Sequence, residues 1–173
     1  MRKYILVLLT IFTITLTGCK NDEPEEINFV VLKGVDTVEI NTEWIDAGAN
    51  LYIDDDLYNA KVSGFVNTSV LGLYEIEYSI TYNELAYTDI RYVMVTDQTA
   101  PVLELNLGVD TIKVNSTWTD AGITVTDNSL EIITYTTIGT VDTAVVGTYT
   151  IIYSAIDSSG NESTITRVVT VIE

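Results

Sequence analysis

The sequence has no histidine, a single cysteine, two prolines, and only eight lysines and arginines against 25 aspartates and glutamates. Each shortage removes a class of chemistry. Without histidine there is no imidazole base, no Ser-His-Asp arrangement and no His-containing zinc site. One cysteine cannot close an intrachain disulfide. A formal net charge of −17 leaves no basic footprint for nucleic acid and repels anionic headgroups. No Gly-x4-Gly-Lys phosphate loop occurs in the chain. Carboxylates are numerous enough for a pair to fall at glycosidase spacing by chance. Small strand-built units, however, offer no deep cleft to desolvate such a pair. The expectation is a protein that is not an enzyme. What is present is a 47% hydrophobic chain of 173 residues, enough for one or two packed cores.

The N-terminus reads as an address. Arg2 and Lys3 form a basic start, and Tyr4 to Thr15 is an apolar run of signal-peptide length, short for a membrane span. Leu16-Thr17-Gly18-Cys19 follows and places the chain's only cysteine after small residues. This segment resembles the lipobox of bacterial lipoproteins. The resemblance implies a cleaved lipoprotein signal peptide over residues 1–18 and a thioether-linked diacylglycerol, with a further acyl chain such as palmitate, on Cys19. Two or more acyl chains hold far more firmly than one, because each buried CH₂ contributes about 0.8 kcal/mol. Residues 19–27 then read as an acidic tether, since Lys20-Asn21-Asp22-Glu23-Pro24-Glu25-Glu26 has no apolar residue. The expected location is the outer face of the cytoplasmic membrane or the cell surface.

Beyond the tether, one unit is written twice. Gly34-Val35-Asp36-Thr37 recurs as Gly108-Val109-Asp110-Thr111, and Trp44-Ile45-Asp46-Ala47-Gly48 recurs as Trp118-Thr119-Asp120-Ala121-Gly122. Val66-Asn67-Thr68 matches Val141-Asp142-Thr143, Gly72-Leu73-Tyr74 matches Gly147-Thr148-Tyr149, Tyr78 matches Tyr153, and Arg91 matches Arg167. The offset grows from 74 to 76 along the chain, so the second repeat carries two single-residue insertions. Self-similarity at this period marks a repeated structural unit. The units are placed at residues 28–97 and 101–173, with Asp97-Gln98-Thr99-Ala100 as a short joint that stacks them end to end.

Within each unit the hydrophobic period is two. Tyr74, Ile76, Tyr78 and Ile80 alternate with Glu75, Glu77 and Ser79, and Tyr149, Ile151, Tyr153 and Ala155 repeat the pattern. Further strands are expected near 28–32, 36–40, 49–53, 61–66 and 86–95, and near 102–106, 110–114, 123–127, 131–138 and 163–172. Six or seven short strands per unit, with Gly- and Asp-rich turns between them, predict an all-β chain of two tandem β-sandwiches. The second unit runs Trp118-x-Asp120-Ala-Gly122, Asp127-Asn128, Val141-Asp142-Thr143, Gly147-Thr148-Tyr149, Asp157-Ser158-Ser159-Gly160-Asn161 and Arg167-x-Val169-x-Val171. It resembles the bacterial Ig-like domains of surface proteins and of the non-toxic modules of pesticidal crystal proteins, and is similar to hyalin-repeat domains. The first unit is divergent, with Thr81-Tyr82-Asn83-Glu84-Leu85 in place of the Asp-x-x-Gly-Asn turn. The resemblance implies an adhesion, spacer or binding module whose partner is an extracellular protein or glycan.

Three residue sets are candidates for more than packing. Asp120, Asp127, Asp157 and Asn161 fall in loops of the second unit and offer the oxygens Ca²⁺ requires, although no calcium-loop spacing is matched. Turn chemistry is the preferred reading: Asp157 bonds backbone N–H groups and Gly160 takes positive φ. No other cofactor is expected. Tyr52, Tyr58, Tyr82, Tyr87 and Tyr92 are particular to the first unit and could form a platform for a glycan or envelope protein, or else fill a sheet face. An accessory subunit binding through the first unit is therefore the alternative function. Trp44, Trp118 and the repeated tyrosines read as framework. Arg91 and Arg167 read as strand residues paired with a neighbouring acid and carrying little function.

Overall fold

The computed structural model describes residues 25–173. The segment expected to be a signal peptide, Cys19 and most of the expected tether lie outside the described residues. All regular structure among the described residues is strand. In the first repeat, β1 (Ile27–Val31), β3 (Ala49–Ile53) and β4 (Asp56–Asn59) form one sheet in the order β1-β3-β4. The facing sheet contains β2 (Thr37–Glu39), β5 (Lys61–Ser63), β6 (Gly72–Tyr82) and β7 (Leu85–Thr96) in the order β2-β7-β6-β5. In the second repeat, β8 (Val102–Leu105) pairs with β10 (Ile123–Thr126). Its facing sheet has β9 (Thr111–Lys113), β11 (Tyr135–Ile138), β12 (Gly147–Ile156) and β13 (Glu162–Ile172) in the order β11-β12-β13-β9. Every ladder is antiparallel except β2 on β7 and β9 on β13, which are parallel.

The period-two pattern sets which side chains meet. On β6, Ile76 and Tyr78 are buried while Glu75 and Glu77 face water; on β12, Ile151, Tyr153 and Ala155 are buried. β7 contributes Val93 and Val95 from the same parity, and β13 contributes Val169 and Val171. Trp44 lies across the gap between the sheets of the first repeat. It touches both the cluster of Val38, Ile40, Val93 and Val95 and the cluster of Ala49, Ile76 and Tyr78. Trp118 packs on Ile123, Ile151 and Tyr153 in the second. Each indole N–H is satisfied by a backbone carbonyl, Val35 O at 2.7 Å and Val109 O at 2.8 Å, so neither ring carries an unpaired donor.

The two insertions are visible as structure. Asp54 at φ 49° opens a tight turn that lets β4 fold back on β3, with Ile53 opposite Asp56. The second repeat has no strand at that position, and residues 127–134 form a longer loop. At the other end, Asn83 and Glu84, both at positive φ, close the β6–β7 hairpin directly between the paired residues Tyr82 and Leu85. The β12–β13 hairpin instead passes through Asp157 to Asn161, with Gly160 at φ 92° and Asp157 Oδ1 accepting the Asn161 N–H at 2.8 Å. This is the Asp-and-Gly turn chemistry expected from the sequence.

A buried arginine ties the strands together in each repeat. Arg91 is 5% exposed and Arg167 is 2% exposed, at the inward positions where the strand pattern otherwise places valine. Arg167 donates to Asp110 Oδ1 and to Asn106 O, both at 2.6 Å, and its Nε lies 3.7 Å from Asp120 Oδ1. Arg91 donates to Leu32 O and lies 3.7 Å from both Asp36 Oδ1 and Asp46 Oδ1. The same aspartates close the network from the other side. The phenols of Tyr78 and Tyr153 donate to Asp46 and Asp120 at 2.5 Å, and the N–H groups of Gly48 and Gly122 donate to those carboxylates at 3.0 Å. Gly34 and Gly108 lie against the guanidinium groups, so that a Cβ at either position would run into Arg91 or Arg167. The two arginines are thus buried members of the core network rather than the lightly coupled strand pairs their sequence context suggested, and the small values typical of exposed ion pairs do not apply to them.

Two predictions follow from this network. Arg167→Ala removes a buried guanidinium with its bonds to Asp110 and to Asn106 O and leaves a cavity beneath two partly exposed aspartates, and is expected to cost about 2–5 kcal/mol, read as a lowered midpoint in urea denaturation. Burial and the bond to an aspartate push the phenols of both Tyr78 and Tyr153 up from the ordinary tyrosine range. A raised folded-state pKa supports the fold below the unfolded value of about 10, and that support is lost as pH rises through the folded value. Titration of phenolate absorbance is therefore expected to show two tyrosines that ionise only with the alkaline unfolding transition.

Candidate functional site at the joint between the repeats

The joint places side chains from four separate segments together. β2 ends at Glu39, β7 leads into Asp97, and the loop after β10 carries Asp127 and Asn128. The turn between β12 and β13 carries Asp157 and Asn161. Pro101, fully buried, opens the second repeat. Glu39 organises the connecting backbone. Its carboxylate accepts the N–H of Gln98 at 3.0 Å, the N–H of Thr99 at 3.1 Å, the Thr99 hydroxyl at 2.8 Å and the Asn128 amide at 2.9 Å. Burial opposes ionisation of Glu39, but the donors from Gln98, Thr99 and Asn128 outweigh it and hold the carboxyl below the usual range. Three further bonds cross between the repeats: Asn41 Nδ2 to Asn128 O at 2.7 Å, Asn161 Nδ2 to Asp97 O at 3.3 Å, and Ser159 Oγ to Asp97 Oδ2 at 3.4 Å.

Carboxylate oxygens of Asp97, Asp127 and Asp157 converge here, all within 4.8 Å of one another. Asp97 and Asp157 are each 8% exposed. Burial, followed by the charges of Asp157, Asp127 and Glu39, raises the Asp97 carboxyl above the ordinary aspartate range. Burial works the same way on Asp157, but the Asn161 amide and the N–H groups of Asn161, Gly160 and Ser159 overcome it and lower that carboxyl. Asp127 uses Oδ1 to accept the N–H and hydroxyl of Ser129, at 2.8 and 2.5 Å. Its Oδ2 is fully enclosed and accepts nothing, and the same holds for Oδ1 of Asn128. Among the described residues, the ion pairs are those of Arg91 and Arg167, and no cation reaches this group.

Of the four candidate calcium residues, the structure brings Asp127, Asp157 and Asn161 to the joint. It places Asp120 elsewhere, bound to Tyr153, Gly122 and Arg167 in the core network. Asp97, which sequence reasoning assigned only to the joint, takes its place in the group. The five tyrosines divide. Tyr58 and Tyr82 pack together with ring centroids 6.2 Å apart, and Tyr82 donates to Glu25. Tyr87 packs on Phe29 at 6.4 Å. Tyr52 and Tyr92 lie on strands of opposite sheets at outward-facing positions. Open surface grooves among the described residues include one of about 430 Å³ around Gly108 and Trp118 and one of about 650 Å³ between Phe29–Gly34 and Asp89–Tyr92.

A family model described as bacterial surface protein, Ig-like domain, matches residues 109–171. No curated protein matches the sequence. Solved structures similar to the chain include a protocadherin gammaB7 EC3-6 cis-dimer, at 10% identity and a TM-score of 0.36, covering 86% of this chain and 51% of that one. This chain thus spans about half the length of that protein. Human mucin-like protocadherin EC1-2 is similar at 15% identity and a TM-score of 0.32, covering 84% of this chain and 98% of that one. The protocadherin gammaB4 extracellular domain is similar at 12% identity and a TM-score of 0.35, covering 85% and 33%. Most of the second repeat, from Val109 to Val171, is therefore similar to the Ig-like domains of bacterial surface proteins.

Proposed function

We propose that the protein is a surface-held, non-catalytic tandem of Ig-like modules, residues 28–97 and 101–173, anchored outside the cytoplasmic membrane by lipid on Cys19. It spaces and presents a binding face to an extracellular protein or glycan. The observation that carries this reading is the bonding skeleton of the segment that matches bacterial surface Ig-like domains. That skeleton recurs in the first repeat residue by residue. Arg91 stands for Arg167, Asp46 for Asp120, Tyr78 for Tyr153 and Trp44 for Trp118, each with the equivalent partner. Two such units on a short joint make an extended presenter whose grooves, among the described residues, are open. A strongly acidic surface keeps such an ectodomain soluble and discourages binding to anionic wall polymers.

A second reading rests on β4, which only the first repeat possesses. Its Tyr58 is 42% exposed and packs against Tyr82, a pair of rigid rings of the kind that stacks on sugar faces or fills a protein interface. In this reading the protein is an accessory subunit recruiting a glycan or envelope protein through the first repeat. Alanine at Tyr58 and Tyr82 together abolishes capture on a glycan or envelope-protein array if that reading holds, and leaves it unchanged if the pair only fills the sheet rim.

The anchoring proposal has a direct measurement. In the native host the wild-type protein is expected in the detergent phase and accessible to a membrane-impermeant label on intact cells. Cys19→Ser is expected to move it to the aqueous phase. Retention of the serine variant in the membrane would overturn the anchor, and protection of the wild type from label would overturn the surface location.

A further inference from the structure

The carboxylates at the joint are arranged against their own electrostatics. Asp97 and Asp157 are more than nine-tenths buried, Asp127 joins them within 4.8 Å, and Glu39 adds a fourth negative charge alongside. Like charges this close and this dry oppose one another strongly unless something neutralises them. Protein groups supply only part of that. Hydrogen bonds from Ser129, Asn161, Thr99 and Ser159 satisfy individual oxygens, but no arginine or lysine pairs with any of the three aspartates among the described residues. The independent sign of a missing occupant is the enclosed Oδ2 of Asp127. It has no hydrogen-bond partner although Oδ1 of the same carboxylate has two. A charged oxygen left buried and unpaired carries its desolvation penalty uncompensated. Beside it, Asn128 is fixed through its Nδ2 by Glu39 and leaves its own Oδ1 enclosed and unbonded.

We infer that the joint is a binding site for one Ca²⁺ ion, held by Asp97, Asp127 and Asp157 with Asn128 completing the protein donors. The donor set is all oxygen, with no imidazole or thiolate in the chain beyond Cys19, which selects a hard cation. Three carboxylates able to bind through one or both oxygens, an amide oxygen and water reach the six to eight ligands Ca²⁺ takes in irregular geometry. Mg²⁺ demands a tighter octahedron and keeps its waters. The ligands come from both sides of the joint: Asp97 follows β7 of the first repeat, whereas Asp127, Asn128 and Asp157 belong to the second. A bound ion therefore fixes the two repeats relative to one another and turns the joint from a hydrogen-bonded contact into a rigid one. This inference is independent of the lipid anchor and of the identity of any partner.

The test uses the full chain in detergent, titrated calorimetrically with CaCl₂ and melted in CaCl₂ or in EGTA. The expected result is a single saturable site per chain, a melting temperature several degrees higher in millimolar CaCl₂ than in EGTA, and little response to MgCl₂. Asp127→Asn removes charge while keeping an acceptor for Ser129. It is expected to weaken CaCl₂ binding at least tenfold and, in EGTA, to melt at or above the wild type because repulsion is relieved. A merely structural role for Asp127 would lower the melting temperature in both buffers. Asp55→Asn, on an exposed turn of the first repeat, controls for diffuse binding to an acidic surface and is expected to bind as the wild type does. Absence of a saturable site, an equal response to MgCl₂, or identical titrations for the wild type and Asp127→Asn would each overturn the inference.

Discussion

In each repeat one guanidinium is taken out of water and placed between a glycine-bearing loop and the centre of the larger sheet, and the surrounding structure is built to receive it. Desolvating an arginine is unfavourable by several kcal/mol unless carboxylates and carbonyls replace its hydration. The sequence meets most of that demand twice, with Asp36, Asp46 and Leu32 O around Arg91 and with Asp110, Asp120, Asn106 O and Gly122 O around Arg167, leaving one nitrogen of each guanidinium to ionic contact alone. These partners come from segments remote in sequence, so satisfying the charge fixes the loop before the Trp-bearing turn against β7 or β13. The tyrosine hydroxyls then orient the carboxylates, and the glycines make room. Without a disulfide, these sandwiches use a polar pin in the core to specify how the two sheets meet. Small domains of this size are marginal on apolar packing alone.

The joint applies a different logic to the same residue types. Within each repeat, the aspartates of the core network are partly exposed and face a buried guanidinium. At the joint, the aspartates face one another and a set of neutral donors. The contrast separates framework from site. Asp120 and Asp46 recur at equivalent positions and do equivalent work in the two cores. Asp127 and Asp157 have no acidic counterparts in the first repeat, where Ile53 and Tyr82 occupy the corresponding places. Asp46 and Asp120 hold the two cores, whereas Asp127 and Asp157, which the first repeat lacks, lie where the two units touch.

Much of the fold was legible because strand alternation and repetition are local signals. Ile76 and Tyr78, Ile151 and Tyr153, both tryptophans and the Asp157–Asn161 turn all lie where the pattern puts them. β4 was not legible, since Asp-Leu-Tyr-Asn carries no alternation and all four residues are exposed. It exists because Asp54 accepts a left-handed conformation and lets the chain turn back. The depth of Arg91 and Arg167 was written in the parity they share with Val93, Val95, Val169 and Val171, but a charge at a core parity reads as a surface residue until its partners are seen. The site was half legible. Asp127, Asp157 and Asn161 are visible as loop oxygens of one repeat. Asp97 joins them across a fold boundary that a linear reading cannot measure, and Asp120 is diverted inward by Tyr153 and Arg167.

The parallel pairs β2 on β7 and β9 on β13 have a mechanical consequence. Each joins an early strand of its repeat to the last one, with Val38 opposite Val95 and Ile112 opposite Val171. When tension pulls the two ends of such a pair apart, parallel neighbours slide along each other. The rungs between them are then loaded together instead of parting one at a time as in a zipper. Resistance to stretching is a matter of unfolding rate rather than equilibrium stability, and this geometry places that resistance between the second strand and the last strand of each unit.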